Sequence, residues 1–297
     1  MRIFQRTLSR PVQFSGVGLH SGMPVSARIL PAGQDRGILF RRTDIGAEIP
    51  ASVENVVETA YATVLSAGGA KISTVEHFLS ALHGMEIDNA IVEVDGPELP
   101  ILDGSAFPVA EAIAAAGSAE LPARRHFLWI SNNCKFHREG SMAAVAPSEE
   151  LEILVTVDFP GTVIGKQWLK FTQTPENFLK EIAPARTFVL REQIEALWAA
   201  GLAKGGSLEN AIVVEGDKVL NVEGLRFIDE FVRHKLLDFM GDLALLGRPV
   251  RGFFLAVRPG HTVNRCLVEH LAGLADLSFG DSQRPVHAAP TELQITA

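Results

Sequence analysis

The chain has 297 residues, of which 47% are hydrophobic, enough for one large domain or two ordinary ones. Its formal net charge of −8 argues against a nucleic-acid-binding protein, because phosphate contacts need a basic surface. Its two cysteines lie outside any Cys-x-x-Cys spacing, which excludes a disulfide framework or thiolate zinc site and favours a reducing, cytoplasmic compartment. Because no signal-peptide pattern or long apolar run is present, we expect a protein that does not span the membrane.

The first part of the chain reads as strands followed by two helices. Gly and Pro turns separate strand-like alternation at 13–20, 24–30 and 37–41. The elements predicted next are a helix at 73–83, a strand at 89–94, a helix at 105–116 and a linker at 121–125. These features place a first domain at 1–122.

The second part repeats this plan. Its predicted strands are 127–130, 142–146, 151–159 and 252–257; its predicted helices begin at Thr174, Arg191, Phe231 and Val263, with a Gly205-Gly206 break, a hairpin near Gly216 and a loop carrying His261. Helix, strand, loop and helix follow one another at both 73–117 and 229–275, which indicates a structural duplication. We therefore predict an α+β fold with two domains of similar topology, 1–122 and 126–297. Each is a β-sheet layer packed on helices, with the helix layers facing each other.

The predicted helix at 231–247 has one polar face, and its other faces are apolar. His234, Asp238 and Asp242 follow one another at four-residue spacing, which places them on one face of a helix that is otherwise buried. Burial of these groups requires either a cation or a hydrogen-bond network. Spacing alone leaves both open, a buried His–Asp hydrogen bond in a core helix and two ligands of a metal site.

A second polar pair, Glu76-His77, lies in the predicted helix of the first domain. Ser73-x-x-Glu76 also fits a capping box, in which Glu76 would bond the Ser73 amide, and a lone His77 fits a core histidine. If the two helix layers face each other, His77 joins His234 in one cleft. Two imidazoles and the Asp238 carboxylate match the ligand number of a catalytic zinc.

The same cleft would then hold groups for acid–base chemistry. Glu76, beside a ligand, is a candidate general base. His261, which follows a glycine, is a candidate general acid, and Asp242 could orient it. Spacing does not prove that these residues converge.

Eight motifs follow one another along the chain: Ser73-Thr-Val-Glu-His77, Asp103-Gly-Ser-Ala106, Ala185-Arg-Thr-Phe188, Gly205-Gly-Ser207, Leu225-Arg-Phe227, Phe231-Val-Arg-His-Lys235, Leu237-Asp238 and Gly241-Asp-Leu243. In this order they resemble the motifs of the UDP-3-O-acyl-N-acetylglucosamine deacetylase family, zinc enzymes of lipid A synthesis. The resemblance runs from Gly16–Gly22, which contains His20, to Gly260-His261. It implies two domains of like topology with the site between them.

The resemblance also implies a role for each site residue. As metal ligands it implies His77, His234 and Asp238; as catalytic groups it implies Glu76 as base, His261 as acid, Asp242 as its partner and Thr187 at the oxyanion. As substrate contacts it implies Phe188 for the sugar, Lys235 and Arg258 for the diphosphate, Phe159 for uracil, His20 in the first motif, and Ala211 in an acyl passage. The implied cofactor is Zn²⁺, and the reaction is hydrolysis of the acetamide of UDP-3-O-acyl-N-acetylglucosamine.

The acyl passage is assigned to 194–214, within an insert at about 191–222. The run Ala196–Ala203 reads as too apolar for a solvent-facing helix, and an ordinary satellite core is the alternative. Two parts of the chain depart from the family pattern: residues 60–69, and the residues after Asp276, which carry no motif. We expect a monomer.

Two other functions remain open at this point. Two histidines and a carboxylate also form the facial triad of a ferrous oxygenase, although Glu76 has no role there. A non-enzymatic sugar-nucleotide-binding protein would keep the basic and aromatic contacts without needing an acid, a base or a metal.

Overall fold

The computed structural model describes residues 2–138 and 140–277. Its N-terminal part, up to residue 124, contains β1 (Phe4–Leu8), β2 (Val12–Val17), β3 (Pro24–Pro31), β4 (Ile38–Arg42), β5 (Ala47–Pro50), β6 (Val56–Glu58), β7 (Val64–Ala67), β8 (Ala70–Ile72), α1 (Glu76–Gly84), β9 (Ala90–Val94), α2 (Phe107–Ala116) and β10 (Ser118–Arg124). The main sheet has the strand order β2-β3-β9-β4-β5. Strands β6, β7 and β8 form a small sheet, and β10 pairs with β1.

The C-terminal part contains β11 (Leu128–Trp129), β12 (Cys134–Arg138), β13 (Ser141–Ala146), β14 (Leu151–Phe159), β15 (Gly165–Thr172), α3 (Pro175–Asn177), β16 (Phe188–Leu190), α4 (Arg191–Ala199), β17 (Ile212–Glu215), β18 (Lys218–Val219), α5 (Glu230–Leu243), β19 (Val250–Val257) and α6 (His261–Leu277). The main sheet here has the order β12-β13-β19-β14-β15, with β11 beside β19. Strands β16, β17 and β18 form a separate small sheet.

The two main sheets have the same topology. Strands β2, β3, β9, β4 and β5 correspond in position to β12, β13, β19, β14 and β15, and β4/β9 and β14/β19 are the corresponding parallel pairs. Helices α1 and α2 flank β9 in the chain as α5 and α6 flank β19. The predicted α+β class and the repeated order of elements are confirmed. The domain limits stay a prediction, and residues 278–297 lie outside the described part.

The strands present one face to the core, and a glycine lets the two helix layers approach each other closely. Along β14 every second residue from Leu151 to Val157 is buried, as expected for a strand with one face on the core. Helix α5 is buried apart from Arg233 and Lys235, and it packs directly against α1. A Cβ at Gly241 would lie 2.2 Å from the carbonyl oxygen of Glu76, so only glycine permits this close approach.

Three predicted boundaries differ from the structure. Most of the predicted linker at 121–125 belongs to β10, because the segment from Ser118 to Arg124 completes a ladder with β1. The helix predicted to open at Thr174 has its expected cap, where the Thr174 hydroxyl accepts from the Asn177 amide at 3.1 Å, but α3 soon becomes a π turn. His261 is the first residue of α6 rather than part of a loop. In the described ranges, no helix combines the length and apolarity needed to cross a membrane.

Candidate metal and catalytic site

The contact between α1 and α5 brings together two histidines and one carboxylate from different parts of the chain. His77, His234 and Asp238 are buried, and one ligand atom from each lies within 4.8 Å of the others. The Oδ1 atom of Asp238 lies 3.3 Å from His234 Nε2 and 3.9 Å from His77 Nε2. The predicted convergence of this trio is therefore present in the structure.

Both imidazoles are in the protonation state that a metal requires. Burial, followed by the nearby His234, lowers the pKa of His77 to about 3, and burial also lowers the pKa of His234. A neutral imidazole is the form that binds a metal. His234 Nδ1 donates to the carbonyl oxygen of Ala185 at 3.0 Å, which leaves Nε2 free to face Asp238. This outer contact is typical of metal-binding histidines.

Asp238 completes the trio as a carboxylate. Burial raises its pKa, but His234 and Lys235 together hold that pKa well below the usual range for a carboxyl group. The Lys235 ammonium donates to Asp238 Oδ2 at 2.8 Å, whereas Oδ1 faces the imidazoles. Two neutral imidazoles and one carboxylate fit a borderline divalent cation such as zinc.

Glu76 lies beside this trio and does not cap its helix. The Ser73 amide donates to the carbonyl of Pro97, and α1 begins at Glu76 without a side-chain cap, so the capping-box alternative is wrong. The Oε2 atom of Glu76 accepts from the Thr63 amide at 3.1 Å. Burial raises the pKa of Glu76 to about 7, opposed by His261. A carboxylate with this pKa suits a general base.

His261, which is partly buried, pairs with the buried carboxylate of Asp242. The distance from His261 Nδ1 to Asp242 Oδ2 is 2.8 Å, while His261 Nε2 lies 3.8 Å from Glu76 Oε1. Burial lowers the pKa of His261, but Asp242 and Glu76 together raise it to about 10. The imidazole is thus a cation at neutral pH, as a general acid must be.

Comparison with known proteins agrees with this geometry. A sequence model for the family described as UDP-3-O-acyl N-acetylglycosamine deacetylase matches residues 5–273. The chain belongs to this family. It is 48% identical over 272 residues to a protein of Anaeromyxobacter dehalogenans, covering 92% of this chain and 88% of the relative. A Solibacter usitatus protein is 44% identical over 271 residues, with 91% and 92% covered. Both relatives are named UDP-3-O-acyl-N-acetylglucosamine deacetylase.

In this family member, aromatic rings adjoin the trio of His77, His234 and Asp238, and the Phe188 ring centroid lies 6.3 Å from that of His234. The Phe188 ring makes edge-to-face contacts with Phe159 and Phe231, at centroid distances of 5.6 and 5.1 Å. The ammonium of Lys235 lies 5.5 Å from the Phe188 ring centroid. The preceding residue, Thr187, is held in place because its amide donates to the carbonyl of Gly104 at 2.8 Å. The structure thus places Thr187, Phe188, Lys235 and Phe159 in one region; their substrate contacts stay predictions.

The other three predicted substrate-binding residues are Arg258, His20 and Ala211. Arg258 is exposed just after β19, and its guanidinium donates to the carbonyl of Gly140. The Nδ1 atom of His20 accepts from the Ala203 amide at 3.4 Å, so His20 joins the N-terminal loop to the loop after α4. Ala211 is buried next to β17. Their contacts with substrate also stay predictions.

The expectation that Ala196–Ala203 is too apolar to face solvent is wrong. No residue of α4 is buried, and Trp198 is 58% exposed. The helix contacts β16 and β17 on one side, and its other side mixes polar residues such as Glu192 with small alanines. Alanine exposes little apolar surface, so this exposure costs less than the run of apolar residues suggests.

Sequence reasoning missed two residues at the centre of the site. Thr63, in the segment that departs from the family pattern, donates to Asp242 Oδ1 at 2.7 Å. Asn264, on α6, donates to Asp242 Oδ2 at 2.8 Å. Asn264 lies three residues after His261 on a helix, a spacing that places both on one face and could have identified it. Thr63 precedes a short strand, and no periodicity marks it.

Proposed function

We propose that the chain is a zinc-dependent amidohydrolase acting on UDP-3-O-acyl-N-acetylglucosamine. It would release acetate and leave UDP-3-O-acyl-glucosamine. This reaction is the committed step of lipid A synthesis. The observation that carries this proposal is the buried trio of His77, His234 and Asp238 next to an acid–base pair, Glu76 and His261. Membership of the deacetylase family supports the same reaction.

His77, His234 and Asp238 would hold the zinc ion. Their protonation states and the contact of His234 with Ala185 support this assignment. When bound, zinc supplies Lewis-acid chemistry: it lowers the pKa of water and polarises the acetamide carbonyl.

Glu76 and His261 would carry the two proton transfers. Glu76, whose pKa is about 7, accepts the proton of the attacking water. His261, held as a cation by Asp242, donates from Nε2 to the departing amine. The separation of 3.8 Å between His261 Nε2 and Glu76 Oε1 supports these roles, because both groups could reach the same substrate.

The remaining residues would bind and orient the substrate. Thr187 is proposed to stabilise the oxyanion that forms during attack, where a fixed donor contributes most. Phe188 would pack on the sugar and Phe159 on uracil, consistent with their mutual ring contact. We assign Lys235 and Arg258 to the diphosphate, and His20 and Ala211 to the acyl side of the site.

The two-domain division at 1–122 and 126–297 would place this site at the domain interface. The insert at about 191–222 would enclose the acyl chain. Cytoplasmic location and a monomeric state remain predictions from the sequence.

Two observations disfavour the alternative functions. A ferrous oxygenase would use the trio but gives no role to the Glu76–His261 pair. A sugar-nucleotide-binding protein without catalysis gives no role to a carboxyl group buried with a pKa of about 7.

Metal analysis combined with a deacetylation assay tests the proposal. We expect one zinc per chain in wild type, and loss of zinc and activity in His77→Ala and His234→Ala. His83→Ala is the matched control, because His83 lies on the same helix with its pKa lowered by burial but outside the trio. Full zinc content in a folded His77→Ala protein would contradict the assignment, and iron with no deacetylation would favour the oxygenase.

A further inference from the structure

Thr63 lies where the two proposed proton-transfer groups meet. Its side chain is 1% exposed, and it immediately precedes β7. It contacts residues of three helices: Glu76 of α1, Asp242 of α5 and His261 of α6. The proposed reaction gives Thr63 no role.

The Thr63 hydroxyl fixes the partner of the acid. It donates to Asp242 Oδ1 at 2.7 Å. The other carboxylate oxygen, Oδ2, accepts from His261 Nδ1 and from Asn264 Nδ2, each at 2.8 Å. Asp242 is therefore held at both oxygens, and its plane cannot turn without breaking one of these bonds.

This arrangement sets the proton positions on His261. With Nδ1–H directed at Asp242, the Nε2 atom faces the cleft. The Thr63 oxygen also lies 3.3 Å from His261 Nδ1, so it can share that N–H while donating its own proton to Asp242.

The main chain of the same residue fixes the base. The Thr63 amide donates to Glu76 Oε2 at 3.1 Å, which leaves Oε1 as the oxygen nearest His261 Nε2. One residue thus orients the carboxylate of the base through its amide and the imidazole of the acid through its hydroxyl. Side-chain substitutions leave the amide contact in place, so the two functions are separable.

We propose that Thr63 is a positioning residue that orients the His261–Asp242 pair towards Glu76 by hydrogen bonding to Asp242. The claim that Thr63 assists catalysis rests on the proposed function. The claim that the Thr63 hydroxyl orients Asp242 and His261 concerns only side chains of this protein and is testable without turnover.

The test compares Thr63→Val, which keeps the shape but lacks the hydroxyl, with Thr63→Ser, which keeps the hydroxyl. Because Thr63→Val loses the hydrogen bond to the Asp242 carboxyl group, we expect its kcat to fall by roughly 10- to 100-fold, with KM little changed. Thr63→Ser should stay within about threefold of wild type. Thr63→Ala is a second variant without the hydroxyl if the valine protein does not fold.

The matched control is Thr262→Val. The Thr262 hydroxyl lies 2.9 Å from that of Thr59, which, like Thr63, lies between β6 and β7. Thr262→Val therefore removes a hydrogen bond between this loop and α6 without touching Asp242. Its kcat should stay near that of wild type.

The second readout is the ¹⁵N signal of the His261 ring nitrogens in the full, zinc-containing chain. Loss of the fixed Nδ1–H in Thr63→Val, and its retention in Thr63→Ser and Thr262→Val, would support the proposal. Unchanged ring signals and kcat in Thr63→Val, or equal losses in Thr63→Ser or Thr262→Val, would overturn it. An inactive wild type with hydroxyl-dependent ring signals would reject the proposed function while leaving the positioning role supported.

Discussion

Two buried polar clusters lie along α5. The first, which we call the Arg186 cluster, consists of Arg186, Glu223, Gly224 and Glu230 at the start of the helix. Arg186 is 2% exposed and Glu230 is fully buried. The guanidinium donates to both carboxylate oxygens of Glu230, at 2.9 and 3.2 Å, and also to Glu223 and the carbonyl of Gly224.

The second cluster, which we call the cleft cluster, consists of Glu76, His77, His234, Asp238, Asp242 and His261. Here the ionisable groups of α1, α5 and α6 face one another, and their pKa values move far apart: about 7 for Glu76, about 3 for His77 and about 10 for His261. The Nδ1 atom of His77 is buried without a hydrogen-bond partner.

The difference lies in how completely each buried charge is partnered. A buried ion pair with all its donors satisfied holds the backbone around it, and removal of one member leaves an uncompensated charge. Groups whose pKa values are strongly displaced in a cleft are instead typical of functional sites. The Arg186 cluster also supports the site indirectly, because its chain neighbours Ala185 and Thr187 are parts of the site. We expect carboxyl substitutions to act on stability in one cluster and on catalysis in the other.

Glu230→Gln should have the largest effect on the fold. It leaves the buried Arg186 guanidinium without its main charge partner, which typically costs about 3–5 kcal/mol of unfolding free energy. Chemical denaturation measures this loss. Glu223→Gln is the control, because the Glu223 side chain is 56% exposed, and it should destabilise the fold much less than Glu230→Gln. Similar losses in the two variants would remove the distinction between the clusters.

The same chemical change in the cleft cluster, Glu76→Gln, should leave the fold intact and reduce kcat by roughly 10²-fold or more. The folded-state pKa of about 7 is above the ordinary value of 4.5. The stability that protonated Glu76 contributes is therefore present below pH 4.5 and lost as the pH rises to about 7. Glutamine stays uncharged at every pH, so the variant does not lose this stability. Its melting temperature at pH 8 should therefore equal or exceed that of wild type. A lower melting temperature with retained activity would make Glu76 structural.

The sequence predicted α5 and its polar stripe because helical spacing is a local property. His234, Asp238 and Asp242 fall on one face whatever surrounds the helix. Their convergence with His77 depends on the packing of α1 on α5 at Gly241, which no spacing encodes. The repeated order of elements suggested this convergence, and the family resemblance favoured it.

The errors have the same origin. Whether 121–124 forms a linker or a strand is decided by its partner β1, about 120 residues away. Thr63 has no local signal, because its role arises where three helices meet. The exposure of α4 differs from the expectation because the burial of a helix depends on what covers it, which the apolar content of its own sequence does not determine.

His261→Ala should reduce activity by about 10²-fold and change the shape of the pH–rate profile. In wild type the rate should rise as Glu76 loses its proton near pH 7 and fall as His261 loses its proton near pH 10. The variant should keep the acidic limb and lose the alkaline limb. The raised pKa of His261 also means that its pairing stabilises the fold fully below pH 6.5 and that this stability is lost as the pH approaches about 10. An unchanged alkaline limb would exclude His261 as the acid.

The smallest graded effect should come from the insert, through the length of the substrate's acyl chain. Ile212 and Val214 of β17 join the main core, whereas Ala211 and Val213, buried but outside that core, alternate with them along the chain. The two-residue period of a strand places this second pair on the opposite face, and α4 contacts β17. An apolar passage between α4 and β17 would therefore be lined by small side chains.

Each methylene buried in such a passage contributes up to about 0.8 kcal/mol, so shortening the acyl chain by two carbons should lower kcat/KM by about tenfold. Ala211→Trp should fill the passage and flatten this dependence by reducing activity mainly on long chains. Ala114→Trp, on an exposed position of α2, introduces the same side chain away from the insert and should keep the wild-type dependence. The measurement is kcat/KM across substrates of decreasing acyl length for the three proteins. A wild-type series without length dependence, or an Ala211→Trp series parallel to that of wild type, would show that the acyl chain binds elsewhere and that the insert is an ordinary satellite core.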